Sequence, residues 1–166
     1  MPDNDRYILI DFITIVILKT DLRPQPRGQF ARGAMQLSNY LFFTTNCEAA
    51  LAFYTECGLG RVVDTLRYGE NGMPAKSEAM RGKIMHAKFE GPGVVFYASD
   101  NDDAEPMRGS AHILMMQDRE QTKQLFERMA RGGKVTTELG IQPWGDYYGK
   151  FTDRFGVQWM LNCTLT

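Results

Sequence analysis

Two histidines, His86 and His112, are the only side chains of this type in the sequence, and histidine alone changes charge near neutral pH at its ordinary pKa. His86 lies between Met85 and Ala87 in a β-prone run, where alternation puts Ile84, His86 and Lys88 on one face. An imidazole there can move a proton or recognise a ligand, or it can be a core histidine satisfied by a backbone carbonyl. Toward the C-terminus, Trp144, Tyr147, Tyr148 and Trp159 carry large rings with polar tips, which can wall an apolar pocket or fill the core. Asp146 and Asp153 flank this stretch, and turn capping accounts for both, with Asp153-Arg154-Phe155-Gly156 reading as a turn. Cys47, Cys57 and Cys163 form no C-x-x-C pair and no even framework, so they read as small buried hydrophobes in a reducing compartment. No serine sits in a G-x-S-x-G setting and no P-loop is present. Nucleophilic catalysis and phosphoryl transfer therefore lack a motif.

The elements that must position these residues follow from pattern. Leu37 to Thr45 is aromatic and β-prone, a strand. Asn46 stands at the N-cap of a helix whose Ala50, Phe53, Tyr54 and Cys57 share one face, and Gly58 and Gly60 end it. Strands are expected at Arg61–Tyr68, Lys83–Glu90 and Val94–Ser99, the first followed by a loop through Gly69, Asn71, Gly72 and Pro74. The other two are joined at Gly91-Pro92-Gly93. After an acidic, turn-rich connection at Asp100–Gly109 the order returns: a strand at Ser110–Gln117, then a helix capped by Asp118, with Thr122, Leu125, Phe126 and Met129 on its apolar face. Gly132-Gly133 stops that helix. Strands at Val135–Leu139, Tyr147–Thr152 and Val157–Cys163 complete the pattern. Asn46 and Asp118 are 72 residues apart, as are Tyr54 and Phe126, so an internal duplication is expected. One helix cannot cover a sheet alone, and the two halves are expected to share a cavity.

Bulk properties exclude several classes. A chain of 166 residues with 43% hydrophobic content suits one domain or two small modules with a common core. A formal net charge of −1 offers no footprint for nucleic acid or an anionic membrane, and Lys123–Arg128 reads as a solvated helix face. The apolar run from Tyr7 to Leu18 is interrupted by Asp11 and Thr14 and is short of the ~20 residues that span a bilayer. Its acidic flank, Met1 to Arg6, is unlike a secretory leader. With the Pro-, Gly- and Arg-rich stretch Leu22–Gly33 behind it, residues 1–34 read as an appendage, a β-type addition or a translated upstream stretch. Met35 is then the working start of a domain covering 35–166, with modules at about 37–99 and 110–164.

Three stretches resemble the vicinal oxygen chelate (glyoxalase/bleomycin resistance/dioxygenase) superfamily, and within it the PhnB-like branch: Asn46-Cys47-Glu48-Ala49-Ala50-Leu51-Ala52-Phe53-Tyr54, Lys83-Ile84-Met85-His86-Ala87, and Trp144-Gly145-Asp146 with Tyr148 to Trp159. The last is the most specific, and the resemblance covers about residues 37 to 164. It implies an α+β fold of tandem βαβββ modules forming a cup-shaped mixed sheet, and a homodimer. Proteins of the branch are often described as demethylubiquinone methyltransferases, yet this sequence has no Gly-rich strand–turn–helix for a nucleotide-like cofactor.

Enzymes of the superfamily hold a divalent metal with one ligand from the first and one from the last strand of each module, acting as a Lewis acid. Counting back six residues from the helix caps selects Tyr40 and His112, and counting four beyond Gly93 and Gly156 selects Tyr97 and Met160. Of these only His112 is a good ligand for a divalent ion. The expectation is therefore a small-molecule-binding protein with no cofactor, a divalent metal being the less favoured case. Its ligand-binding candidates are Tyr40, His86, Tyr97, His112, Trp144, Tyr148 and Met160, with Tyr40, Tyr97, His112 and Met160 converging. The alternatives are a metal-dependent lyase, isomerase or dioxygenase with a rearranged site, and a dimeric accessory protein without a small ligand. The expected setting is cytoplasmic, without nucleic-acid or membrane partners.

Overall fold

A computed structural model describes residues 37–164; the expectations for the appendage at 1–34 and for Met35 lie outside the described residues. Eight strands and two helices follow each other in the order expected. The first module comprises β1 (Asn39–Phe43), α1 (Cys47–Glu56), β2 (Arg61–Arg67), β3 (Ile84–Gly91) and β4 (Val94–Asp100). The second comprises β5 (His112–Met116), α2 (Arg119–Met129), β6 (Lys134–Ile141), β7 (Tyr147–Thr152) and β8 (Gln158–Cys163). A short 3-10 turn at Glu78–Met80, inside the long β2–β3 loop, is the one element with no forerunner in the sequence pattern.

Each module forms its own four-stranded mixed sheet, in the orders β1-β4-β3-β2 and β5-β8-β7-β6. In each the first strand runs parallel to the last and the remaining pairs are antiparallel. This is the βαβββ arrangement twice over. The first two strands run the same way at opposite edges of the sheet, so their connection must cross it, and the helix makes that crossing.

Alternation decides what each face does. Leu41, Phe43, Ala87, Phe89, Phe96 and Ala98 are buried with Ala50, Leu51, Phe53 and Tyr54 of α1. Phe89 and Phe96 stack at 4.7 Å, and Tyr54 meets both edge-on. In the second module Phe151, Trp159 and Leu161 pack with Leu125, Phe126 and Met129 of α2, and the whole set forms one hydrophobic cluster across both modules. Among the described residues, the opposite faces of both sheets carry no helix.

The helix starts differ from expectation in one respect. Asp118 caps α2 as its type predicts, accepting from the Gln121 N–H at 2.7 Å. Asn46 occupies the N-cap of α1 but makes no side-chain capping bond. The buried Asp100, at the far end of β4, supplies the acceptor instead. One carboxylate oxygen takes the Cys47 N–H at 2.9 Å and the other the Ile84 N–H at 3.0 Å. A cap delivered from 53 positions away leaves no local signal.

Candidate functional site

On the helix-free face of the first sheet, Tyr40 and Tyr97 are register partners across the parallel β1–β4 pair. Their rings stack at 6.2 Å, and His86 from β3 stacks on Tyr97 at 5.3 Å. The Tyr40 hydroxyl lies 3.0 Å from His86 Nδ1. When the phenol donates, the imidazole proton is fixed on Nε2, which becomes a hydrogen-bond donor for anything lying on the face. Phe42, two residues beyond Tyr40 and 56% exposed, extends the aromatic shelf with a 4.9 Å stack. The ordinary period of two would have found Phe42; the family-based count selected single positions and passed over it. Partial burial raises the Tyr40 phenol above its ordinary pKa, with a hydrogen bond to Ser99 opposing. Tyr40 therefore stays a neutral donor at physiological pH. A cleft of about 480 Å³ runs along the free edge of β1, with Tyr40, Phe42, Asn46, Arg108 and Phe155 among its walls.

The second sheet offers a different helix-free face. Met160 pairs with Ile113, Asn162 with both Met115 and Tyr148, and these side chains share that face. Trp144, 62% exposed in the β6–β7 turn, meets Tyr148 edge-on at 5.6 Å. Asn162 donates to Asp146 at 3.1 Å, tying the turn back to β8.

His112 does not join this face. It pairs with Trp159 on the side packed under α2, its ring 5.1 Å from the indole. Its Nε2 is buried with no hydrogen-bond partner, an arrangement that typically costs about 1–3 kcal/mol. The expected convergence of Tyr40, Tyr97, His112 and Met160 is thus corrected: Tyr40 and Tyr97 meet, whereas His112 and Met160 lie on opposite faces of their sheet. The cause is a single residue. Three residues separate β1 from α1, but only two separate β5 from α2. The helices repeat at 72, while the strand rungs Asn39–Phe96 and His112–Trp159 repeat at 73 in their first members. A count from the helix cap therefore lands one position early in the second module, and one position in a strand is the other face. The residue equivalent to Tyr40 is Ile113.

The four positions that face out at these rungs are then Tyr40, Tyr97, Ile113 and Met160. Two phenols, a hydrocarbon and a thioether do not fit a divalent metal, which needs imidazole or carboxylate donors. Among the described residues, no cluster of three or more His, Cys, Asp or Glu side chains is placed to hold one. Also among the described residues, no helix is long and apolar enough to cross a membrane.

Burial lowers the His112 pKa, with Asp153 opposing. The unfolded imidazole then takes up its proton at a higher pH than the native one. Its contribution to stability is complete above the ordinary histidine value and is lost as pH falls through that value toward the native one. The urea midpoint of the wild type is expected to drop more between about pH 7.5 and about pH 5 than that of His112→Phe. Equal drops would show that the imidazole enters the native state already paired.

Paired βαβββ modules with a shared core and, among the described residues, one helix each define a protein of the paired-module α+β class. A sequence model of the Glyoxalase/Bleomycin resistance protein/Dioxygenase superfamily matches residues 36–161. Protein YjdN of Escherichia coli (strain K12) is 30% identical over 139 residues, spanning 77% of this chain and 95% of that protein. Among solved structures, protein PA1353 from Pseudomonas aeruginosa superposes with a TM-score of 0.70 at 35% identity, over 79% of this chain and 98% of that one. The PhnB protein from Bacillus cereus superposes with a TM-score of 0.66 at 26% identity, over 78% and 100%. The chain belongs to the glyoxalase/bleomycin resistance/dioxygenase superfamily, in its PhnB-like branch.

Proposed function

We propose that this protein binds a small, neutral, aromatic molecule on the helix-free face of its first sheet, without a metal. The observation that carries this reading is the Tyr40–His86 hydrogen bond set within three stacked rings. A flat shelf of Tyr40, Phe42 and Tyr97 offers stacking, and His86 Nε2 offers one directed hydrogen bond, the combination that orients an uncharged ring bearing a carbonyl or hydroxyl. Lys88, on the same face of β3 as His86, is paired with Glu90 and so is not a free cation for an anionic ligand.

The test is equilibrium binding of neutral aromatic amides and phenols, followed by calorimetry in every variant and also at the His86 imidazole by NMR where it is present. Tyr40→Phe keeps the ring but releases Nδ1, so affinity should fall about threefold to tenfold, the weight of one neutral hydrogen bond. His86→Ala should remove the directed contact altogether. Binding that ignores both substitutions would sink the proposal.

The same reading includes a homodimer. Ile113, Met115 and Trp144 of the second module are exposed apolar side chains outside the shelf, and Met115 is 65% exposed. Symmetric pairing is the usual way to cover such faces. Sedimentation at micromolar concentration should give about twice the 18.9 kDa chain mass, and Met115→Glu should shift the protein toward monomer. A wild-type monomer throughout that range would remove the dimer from the reading.

A further inference from the structure

The first rung of each parallel strand pair is Asn39–Phe96 in one module and His112–Trp159 in the other. All four residues line one cleft of about 260 Å³ between the modules, where β1 and β5 begin. Leu41 and Leu114, two positions further along the same strands, line it as well. Val95 and Ile113 of the opposite faces border it too, but none of Tyr40, His86 and Tyr97 does, so it is separate from the shelf. No lining side chain is charged. The polar groups are the Asn39 amide and the His112 imidazole, since the Trp159 N–H is engaged by Asp153 at 2.9 Å. His112 Nε2 is the single buried side-chain nitrogen or oxygen without a partner among the described residues. A polar atom left bare in an otherwise satisfied interior marks a place where a partner is missing.

We infer that this inter-module cleft is a second binding site, for a neutral single-ring molecule carrying one hydrogen-bonding hydroxyl or amide. The ring lies against Phe96, Trp159 and the leucines, and its polar substituent meets the His112 imidazole, which turns toward it about χ2, and the Asn39 amide. A space of about 260 Å³ accommodates a substituted ring, and the uncharged lining excludes ions because nothing there would replace their water. This inference does not depend on the shelf site, and the two histidines report on the two places separately.

The experiment titrates phenol, benzamide, toluene and benzylammonium into the full-length protein, following both imidazoles by long-range ¹H–¹⁵N NMR. Phenol and benzamide should give saturable shifts at His112. Toluene should bind about fivefold or more weakly, for want of the hydrogen bond, and benzylammonium should not bind there. Val94→Trp fills the cleft from its β4 wall without touching the imidazole and should abolish the His112 response. His112→Phe, which keeps a ring of similar size and is followed at the Trp159 indole N–H, should bring phenol down to the affinity of toluene and carries the test if the tryptophan variant fails to fold. A phenol response confined to His86 would overturn the inference. So would equal affinity for phenol and toluene in the wild type, or an unchanged His112 response in Val94→Trp.

Discussion

Replacing Asp153 with alanine should lower stability by about 3–5 kcal/mol, the largest loss expected of any single side chain here. The carboxylate is 4% exposed and accepts four hydrogen bonds. Oδ1 takes the N–H groups of Phe155 at 2.8 Å and Val157 at 3.0 Å, holding the β7–β8 turn. Oδ2 takes the Tyr54 hydroxyl at 2.7 Å and the Trp159 indole N–H at 2.9 Å. Tyr54 comes from α1, so one oxygen joins the first module's helix to the second module's sheet. Burial, and then the Asp153 charge, push the Tyr54 phenol well above its ordinary pKa, which keeps the donor in place. Alanine strands all four donors at once, and a buried donor without an acceptor typically costs about 1–3 kcal/mol before any water enters. Tyr54→Phe removes only one donor and keeps the ring, and should cost about 1 kcal/mol. Urea unfolding of the three proteins gives the comparison. A loss for Asp153→Ala no greater than that for Tyr54→Phe would mean that the carboxylate is a turn cap and nothing more.

The second large effect is expected where chain crosses chain at the exit of each helix. A Cβ on Gly91 would stand 2.0 Å from the Leu59 carbonyl oxygen, and one on Gly133 would stand 2.2 Å from that of Thr152. Both obstacles are backbone, at equivalent crossings but on opposite sides of them: Gly91 ends the third strand and meets the segment leaving α1, whereas Gly133 lies in the segment leaving α2 and meets the end of β7. Neither can yield as a side-chain tip would. Gly91→Ala and Gly133→Ala should each cost about 3 kcal/mol, the upper end of ordinary overpacking. Gly58→Ala is the control: its φ is +83° but nothing lies within 4 Å of the added Cβ, so only left-handed strain of about 1 kcal/mol applies. Thermal unfolding of all three variants tests this. A Gly133→Ala protein as stable as Gly58→Ala would show that the crossing can open without loss.

Gly60 and Gly133 are the equivalent glycines of the two crossings, each directly before the second strand of its module and with a Cβ position 2.3 Å and 2.2 Å from the Glu90 and Thr152 carbonyl oxygens, in keeping with the duplication that spacing already indicated. Strand and helix positions were legible because the periods of apolar residues, 2 in strands and about 3.6 in helices, depend only on which side of an element is buried. Thr122, Leu125, Phe126 and Met129 are the buried residues of α2, as that period requires. Element ends were also legible where the signal is local, as at Asp118. They were not legible where the partner is remote: Asn46 has a suitable capping side chain, yet the acceptor at α1 comes from Asp100.

The sequence by itself determined the α+β class, the repeated βαβββ order and the two amphipathic helices. Each of these rests on residue type and short-range spacing. Only the tertiary structure decided which candidates stand together. His86 reaches Tyr40 because β4 lies between β3 and β1 in the sheet, an order that strand pairing sets and no local pattern records. His112 is turned away from Met160 because the second module's strand-to-helix connection is one residue shorter, and a sheet converts one residue of offset into a change of face.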